Sequence, residues 1–136
     1  MKSTNRPRIV TWMTAGVLTF AIVQLTRFIL ALGLPSLPLT VPPWYLALSG
    51  AFWGMLALIA AFGLIRGSLW APALMRWGSA AFATWFWTDW FLFIRSDYAR
   101  GSWPFNLGCT IVALSVIVWL LHRPAVRRYF GERQDE

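Results

Sequence analysis

The chain has 136 residues, 58% of them hydrophobic and 12% charged, with ten tryptophans and a formal net charge of +7. A water-soluble domain carries about a quarter of its residues as charges and far fewer tryptophans, so the composition excludes that class. Four apolar runs, Ile9–Leu34, Trp44–Ile65, Leu69–Ile94 and Trp103–Leu121, take up most of the sequence, and roughly 20 apolar residues cross the hydrocarbon layer. The expected fold is an all-α integral membrane protein: one four-span helical bundle over residues 1–136, with a short amphipathic interfacial helix at 123–131.

The first run follows Lys2, Arg6 and Arg8. A cleaved signal core is about 7–15 residues, and this run is nearly twice that, so it reads as a retained span. It carries Gln24 and Arg27, three residues apart and near one helical face. The connection Pro35–Pro43 holds four prolines and no charge, which predicts a stiff outer loop along the headgroups.

The second run opens with Trp44 and Tyr45, residue types suited to the interfacial belt. Within it Ala47, Gly50, Gly54, Ala57 and Ala61 recur at steps of three and four. Such a seam of small side chains lets helices approach closely in lipid. Packing inside the same chain is the favoured use, and docking of a partner subunit the other. The link Arg66–Pro72 is short, so the second and third spans are antiparallel neighbours.

The third run is crowded with rings, among them Trp85, Phe86, Trp87 and Trp90, and contains one acid, Asp89. Rings around so much of a helix cannot all face one core, which makes this stretch a contact surface for lipid, protein or a flat ligand such as a quinone or carotenoid. The fourth run begins at Ser102-Trp-Pro104, a capping residue followed by proline in the first turn, and carries Asn106, Cys109 and Thr110. The tail after Leu121 is an amphipathic helix in which Ala125, Val126, Tyr129 and Phe130 share a face and Arg127 and Arg128 flank it.

Of the 12 basic residues, Lys2, Arg6, Arg8, Arg66, Arg76, Arg123, Arg127, Arg128 and Arg133 fall on one side of a four-span arrangement. The positive-inside rule therefore sets both termini in the cytoplasm, in a bacterial inner membrane. Arg123, Arg127 and Arg128 are expected to bind anionic headgroups, and nucleic acid is not an expected partner.

A carboxylate inside an apolar span is costly unless paired. Arg27 and Asp89 lie roughly 9–10 Å below the outer boundary on parallel spans, at ~1.5 Å per residue. Their matched depth makes an Arg27–Asp89 clasp the expected arrangement, with Gln24, Thr88 and Asn106 completing the hydrogen bonds. Two other uses are engagement of a partner and titration of Asp89 in a transport pathway.

Catalytic equipment is sparse. There is one histidine, His122, one cysteine, Cys109, and no glutamate in any of the four runs. No metal ligand set, phosphate loop or nucleophile–base pair can be assembled. The expectation is a non-enzymatic accessory subunit of a larger membrane complex, with no intrinsic cofactor or metal, lipid, quinone or carotenoid as possible guests, and lipids and other integral membrane subunits as partners. The alternative is a small oligomeric transporter or channel working through Asp89 and Arg27.

Overall fold

In a computed structural model the described residues are 7–33, 41–93 and 101–131. They form five helices: α1 (Arg8–Gly33), α2 (Pro43–Arg66), α3 (Ala71–Phe93), α4 (Trp103–His122) and α5 (Pro124–Gly131). The residues before Pro7, most of the proline-rich connection, the loop containing Arg95, Asp97 and Arg100, and the tail beyond Gly131 lie outside them.

Local chemistry explains the helix ends. Pro43 occupies the first turn of α2, where its missing N–H has no intrahelical partner to lose. At the other end Gly67 takes the left-handed conformation (φ 64°), its N–H bonds to Leu64 O, and the Ser68 N–H bonds to Gly63 O at 2.9 Å. These two bonds make a Schellman motif. A side chain is doubly disfavoured at Gly67, because a Cβ there would also lie 3.1 Å from the Tyr129 ring. Gly67→Ala is expected to cost about 1–2 kcal/mol from the left-handed backbone alone, read as a lower midpoint of detergent-solubilised unfolding; an unchanged midpoint would refute it. Helix α4 stops because Pro124 forces Arg123 into an extended conformation (ψ 134°). Ser102 stands at its N-cap position without making the expected side-chain capping bond.

Helices α1, α2 and α4 are long and apolar enough to cross a membrane, and the chain is a helical membrane protein. Helix α3, with 23 residues, reaches about 35 Å at ~1.5 Å per residue, but Arg76, Asp89 and several small polar residues dilute its apolar character.

Sequential helices pack as neighbours, and α1 with α2 most closely. The small-residue seam makes that approach possible. A methyl group on Gly50 would stand 2.8 Å from Gln24 O and 3.0 Å from Phe28 N, and one on Gly54 would stand 2.9 Å from a Leu25 methyl. Ala47, Ala57 and Ala61 are buried as well. Helices α2 and α3 are spaced more widely, with aromatic rings filling the gap: Phe82 lies 5.1 Å from Trp53, and Trp85 lies 5.6 Å from Trp53.

The tightest core is at one end of the bundle. Val10, Met13, Leu64, Ala71, Leu121, Val126 and Phe130 form one buried cluster, joining the start of α1, the end of α2, the start of α3, the end of α4 and all of α5. This corrects the expectation of a tail whose apolar face lies on the membrane. Val126 and Phe130 are buried in the bundle, and the Tyr129 hydroxyl donates to Ile65 O at 3.2 Å. Ala125, expected on the same face, is exposed. Helix α5 is a plug, with the Arg127 and Arg128 side chains left exposed. An amphipathic pattern looks the same whether its apolar side meets lipid or protein.

Candidate functional site: an apolar cavity and a tyrosine-held aspartate

Above the plugged end the four long helices do not fill the space between them. They enclose a half-open cavity of about 570 Å³ with an almost wholly apolar wall. Small side chains create it: Gly16 of α1, Ala57 and Ala60 of α2, Gly78 and Ala83 of α3, and Ala113 of α4 all line it. Larger residues close its sides, including Phe20, Trp53, Phe82 and Phe86. Phe20 and Phe82 meet edge to face at 4.8 Å, an arrangement that suits the ring quadrupoles.

The two ends of the ring of neighbours are α1 and α4. Their backbones are not among the closely packed pairs. Trp12 and Gly16 on α1 and Cys109 on α4 line the cavity while remaining exposed. Among the described wall residues none is charged, and the polar ones are Ser79, Asn106, Cys109 and Thr110. Ser79 and Thr110 hydroxyls donate to carbonyls of their own helices, at 3.0 and 2.8 Å. Among the described residues the Asn106 side chain makes one long contact, of 3.5 Å, from Nδ2 to Ser102 Oγ.

The expected Arg27–Asp89 clasp has a different geometry. Asp89 Oδ1 accepts from the Tyr45 hydroxyl at 2.8 Å, and Trp85 Nε1 donates to the same Tyr45 oxygen at 3.0 Å. Asp89 and Trp85 are one turn apart on α3, so a single tyrosine on α2 engages both. Arg27 is held on its own helix, where Nη1 donates to Oε1 of the buried Gln24 at 3.2 Å. Its guanidinium carbon lies 6.0 Å from the Trp85 ring centroid, so the indole links the two polar groups. Thr88 is exposed, donating to Thr84 O on its own helix. Asn106 lies on the cavity wall of α4. Of the five residues expected in one cluster, the structure forms Arg27 with Gln24 and, separately, Asp89 with Tyr45.

Sequence reasoning missed Tyr45 in this role, although the signal was present. With a hairpin centred between Arg66 and Ala71, Tyr45 and Asp89 fall within about one helical turn of the same level.

The aromatic surface also divides. Trp85 packs on Trp53 and Phe82, and Phe86 faces the cavity. Trp87 and Trp90 pair with one another at 5.6 Å around the other side of α3, and the Trp90 indole N–H is buried with no partner among the described residues.

At the plugged end Arg123 lies 3.8 Å over the Trp119 ring and is exposed, as Arg127 and Arg128 are. His122 Nδ1 is bonded to Val118 O on its own helix at 2.7 Å. Among the described residues no group of three or more His, Cys, Asp or Glu side chains comes together as a metal site. Compared with family models, with curated proteins and with solved structures, the chain matches none.

Proposed function

We propose that this chain is a non-catalytic, four-span accessory component of the membrane, and that its bundle holds an apolar guest. The observation that carries the reading is the cavity. Its volume of about 570 Å³ lies in the ordinary range of roughly 300–1,000 Å³ for small-molecule sites. Protein interiors are otherwise close-packed, and a void this large among membrane helices forfeits dispersion contacts unless something occupies it. An uncharged apolar wall suits a guest that is already dissolved in the bilayer.

Helix α3 is the fourth span in this reading, since the short α2–α3 link returns the chain across the same layer. Both termini face the cytoplasm. The support is that Arg8, Arg66, Arg76, Arg123, Arg127 and Arg128 gather at the plugged end, where cytoplasmic basic residues belong. There Arg123, Arg127 and Arg128 meet anionic headgroups. The transporter alternative gains no observation of its own, because neither Asp89 nor Arg27 lies on the cavity wall.

Purification in mild detergent, followed by mass spectrometry of co-purifying small molecules and membrane proteins, tests the proposal. The expected result is an apolar molecule retained in near-stoichiometric amount, together with another membrane subunit. Recovery of a lone chain with neither would end the reading.

A further inference from the structure

We propose that the guest is one acyl chain of a bilayer lipid, entering sideways between α1 and α4 with its ester beside Asn106. This rests on the reading of the bundle as a binder of apolar molecules and names the ligand class.

The dimensions favour a single hydrocarbon chain. On α4 the wall runs from Asn106 to Leu120, a rise of about 21 Å at ~1.5 Å per residue. A cavity of that length and about 570 Å³ suits an extended, flexible chain that follows the wall. A rigid polyene spanning the ~30 Å hydrocarbon layer is too long for it.

The polarity of the slot gives the direction of entry. Its inner end abuts the sealed cluster that includes Met13 and Leu121, so the ligand's innermost part has to be an apolar tip. At the other end Asn106 sits three residues inside the start of α4, about 5 Å below it, near the depth of lipid ester groups. An asparagine amide has two N–H donors, and the long 3.5 Å contact to Ser102 involves only one of them. The remaining N–H is available to an ester carbonyl. Among the described residues of the wall none is charged, so no particular headgroup charge is required.

An unusual depth makes the idea testable. In bulk bilayer an acyl terminus reaches the midplane, about 15 Å from either surface of the ~30 Å hydrocarbon layer. A chain in this slot places its terminus near Leu120 and Met75, close to the inner boundary. The full chain would be reconstituted in phosphatidylcholine vesicles carrying a photoreactive diazirine at the acyl terminus, and cross-links mapped by peptide mass spectrometry. Cross-links at Leu120 and Met75 are expected, falling about tenfold, the equivalent of 1.4 kcal/mol, in Gly78→Phe. A Cβ at Gly78 has its nearest neighbour, a Leu56 methyl, at 3.9 Å, so the ring can be built into the slot. If that variant does not fold, Ala113→Phe blocks the cavity from the exposed helix α4.

Cross-links confined to outward positions such as Val112 and Val116 would overturn the acyl assignment. A parallel arm with a prenylquinone bearing the same photoreactive group separates the two possible failures. Deep, Gly78→Phe-sensitive labelling by the quinone alone would overturn the acyl chain and leave the binding reading intact. Deep labelling by neither would remove both.

Discussion

Replacing Phe130 by alanine is expected to destabilise the bundle by about 3–5 kcal/mol, the usual cost of deleting a buried phenyl ring. Phe130 is 5% exposed and belongs to the cluster that joins all five helices. Its loss leaves a hole in the cluster that includes Val10, Leu64 and Ala71 and removes one of the two buried apolar anchors of an eight-residue helix. A helix that short has little stability of its own, so α5 should detach rather than repack. Two measurements check this. Tryptophan fluorescence during denaturant titration in detergent should show a large drop in stability, and trypsin should cut faster after Arg127 and Arg128. Arg127→Ala, at an exposed position, should change stability by no more than about 0.5 kcal/mol. Were the two variants equally stable, α5 would not be seated in the bundle.

What the sequence could disclose follows from which forces are local. Helix ends are local where a proline or glycine acts on the backbone beside it, as Pro43, Gly67, Pro104 and Pro124 do. The seam on α2 was legible because the spacing of Ala47, Gly50, Gly54, Ala57 and Ala61 fixes their common face whatever the partner helix. Depth was legible too, since rise per residue places Arg27 and Asp89 at similar levels. Azimuth was not. Whether two side chains at one depth meet depends on what stands between the helices, and here the Trp85 ring lies beside Arg27 while Tyr45 takes Asp89. Tyr45 was assigned to the interfacial belt because tyrosine near a span end fits that role without further information.

The cavity was illegible for a related reason. Gly16, Gly78 and Ala113 are unremarkable one at a time in membrane helices. They enclose space only because bulky Trp53 and Phe82 hold α2 and α3 apart at the same level. A void is a property of helix placement, and no single run of the sequence encodes it.

The second large effect concerns Tyr45. Tyr45→Phe is expected to cost about 1.5–3 kcal/mol, the range for a hydrogen bond to a charged group. The variant leaves the Asp89 carboxylate without its 2.8 Å donor and the Trp85 N–H without its acceptor. Double-mutant cycles separate this arrangement from an arginine clasp. Tyr45→Phe combined with Asp89→Leu should show a coupling of about 1.5–3 kcal/mol, whereas Arg27→Met combined with Asp89→Leu should be additive within about 0.5 kcal/mol. The reverse pattern would restore the ion pair and displace the tyrosine. The Tyr45 bond matters more than its energy suggests because of where it acts. Between α2 and α3 the backbones are held apart by rings, which pack without fixing register closely. Tyr45 supplies a directional bond at the open end of that hairpin, far from the plug that secures the other end. Its loss should therefore loosen the end of α3 that carries Asp89 and widen the cavity there, while Phe130→Ala opens the bundle from the plugged end. Hydrogen exchange resolved along α3 would distinguish them, with protection falling first around Trp85–Trp90 in one variant and around Ala71–Met75 in the other.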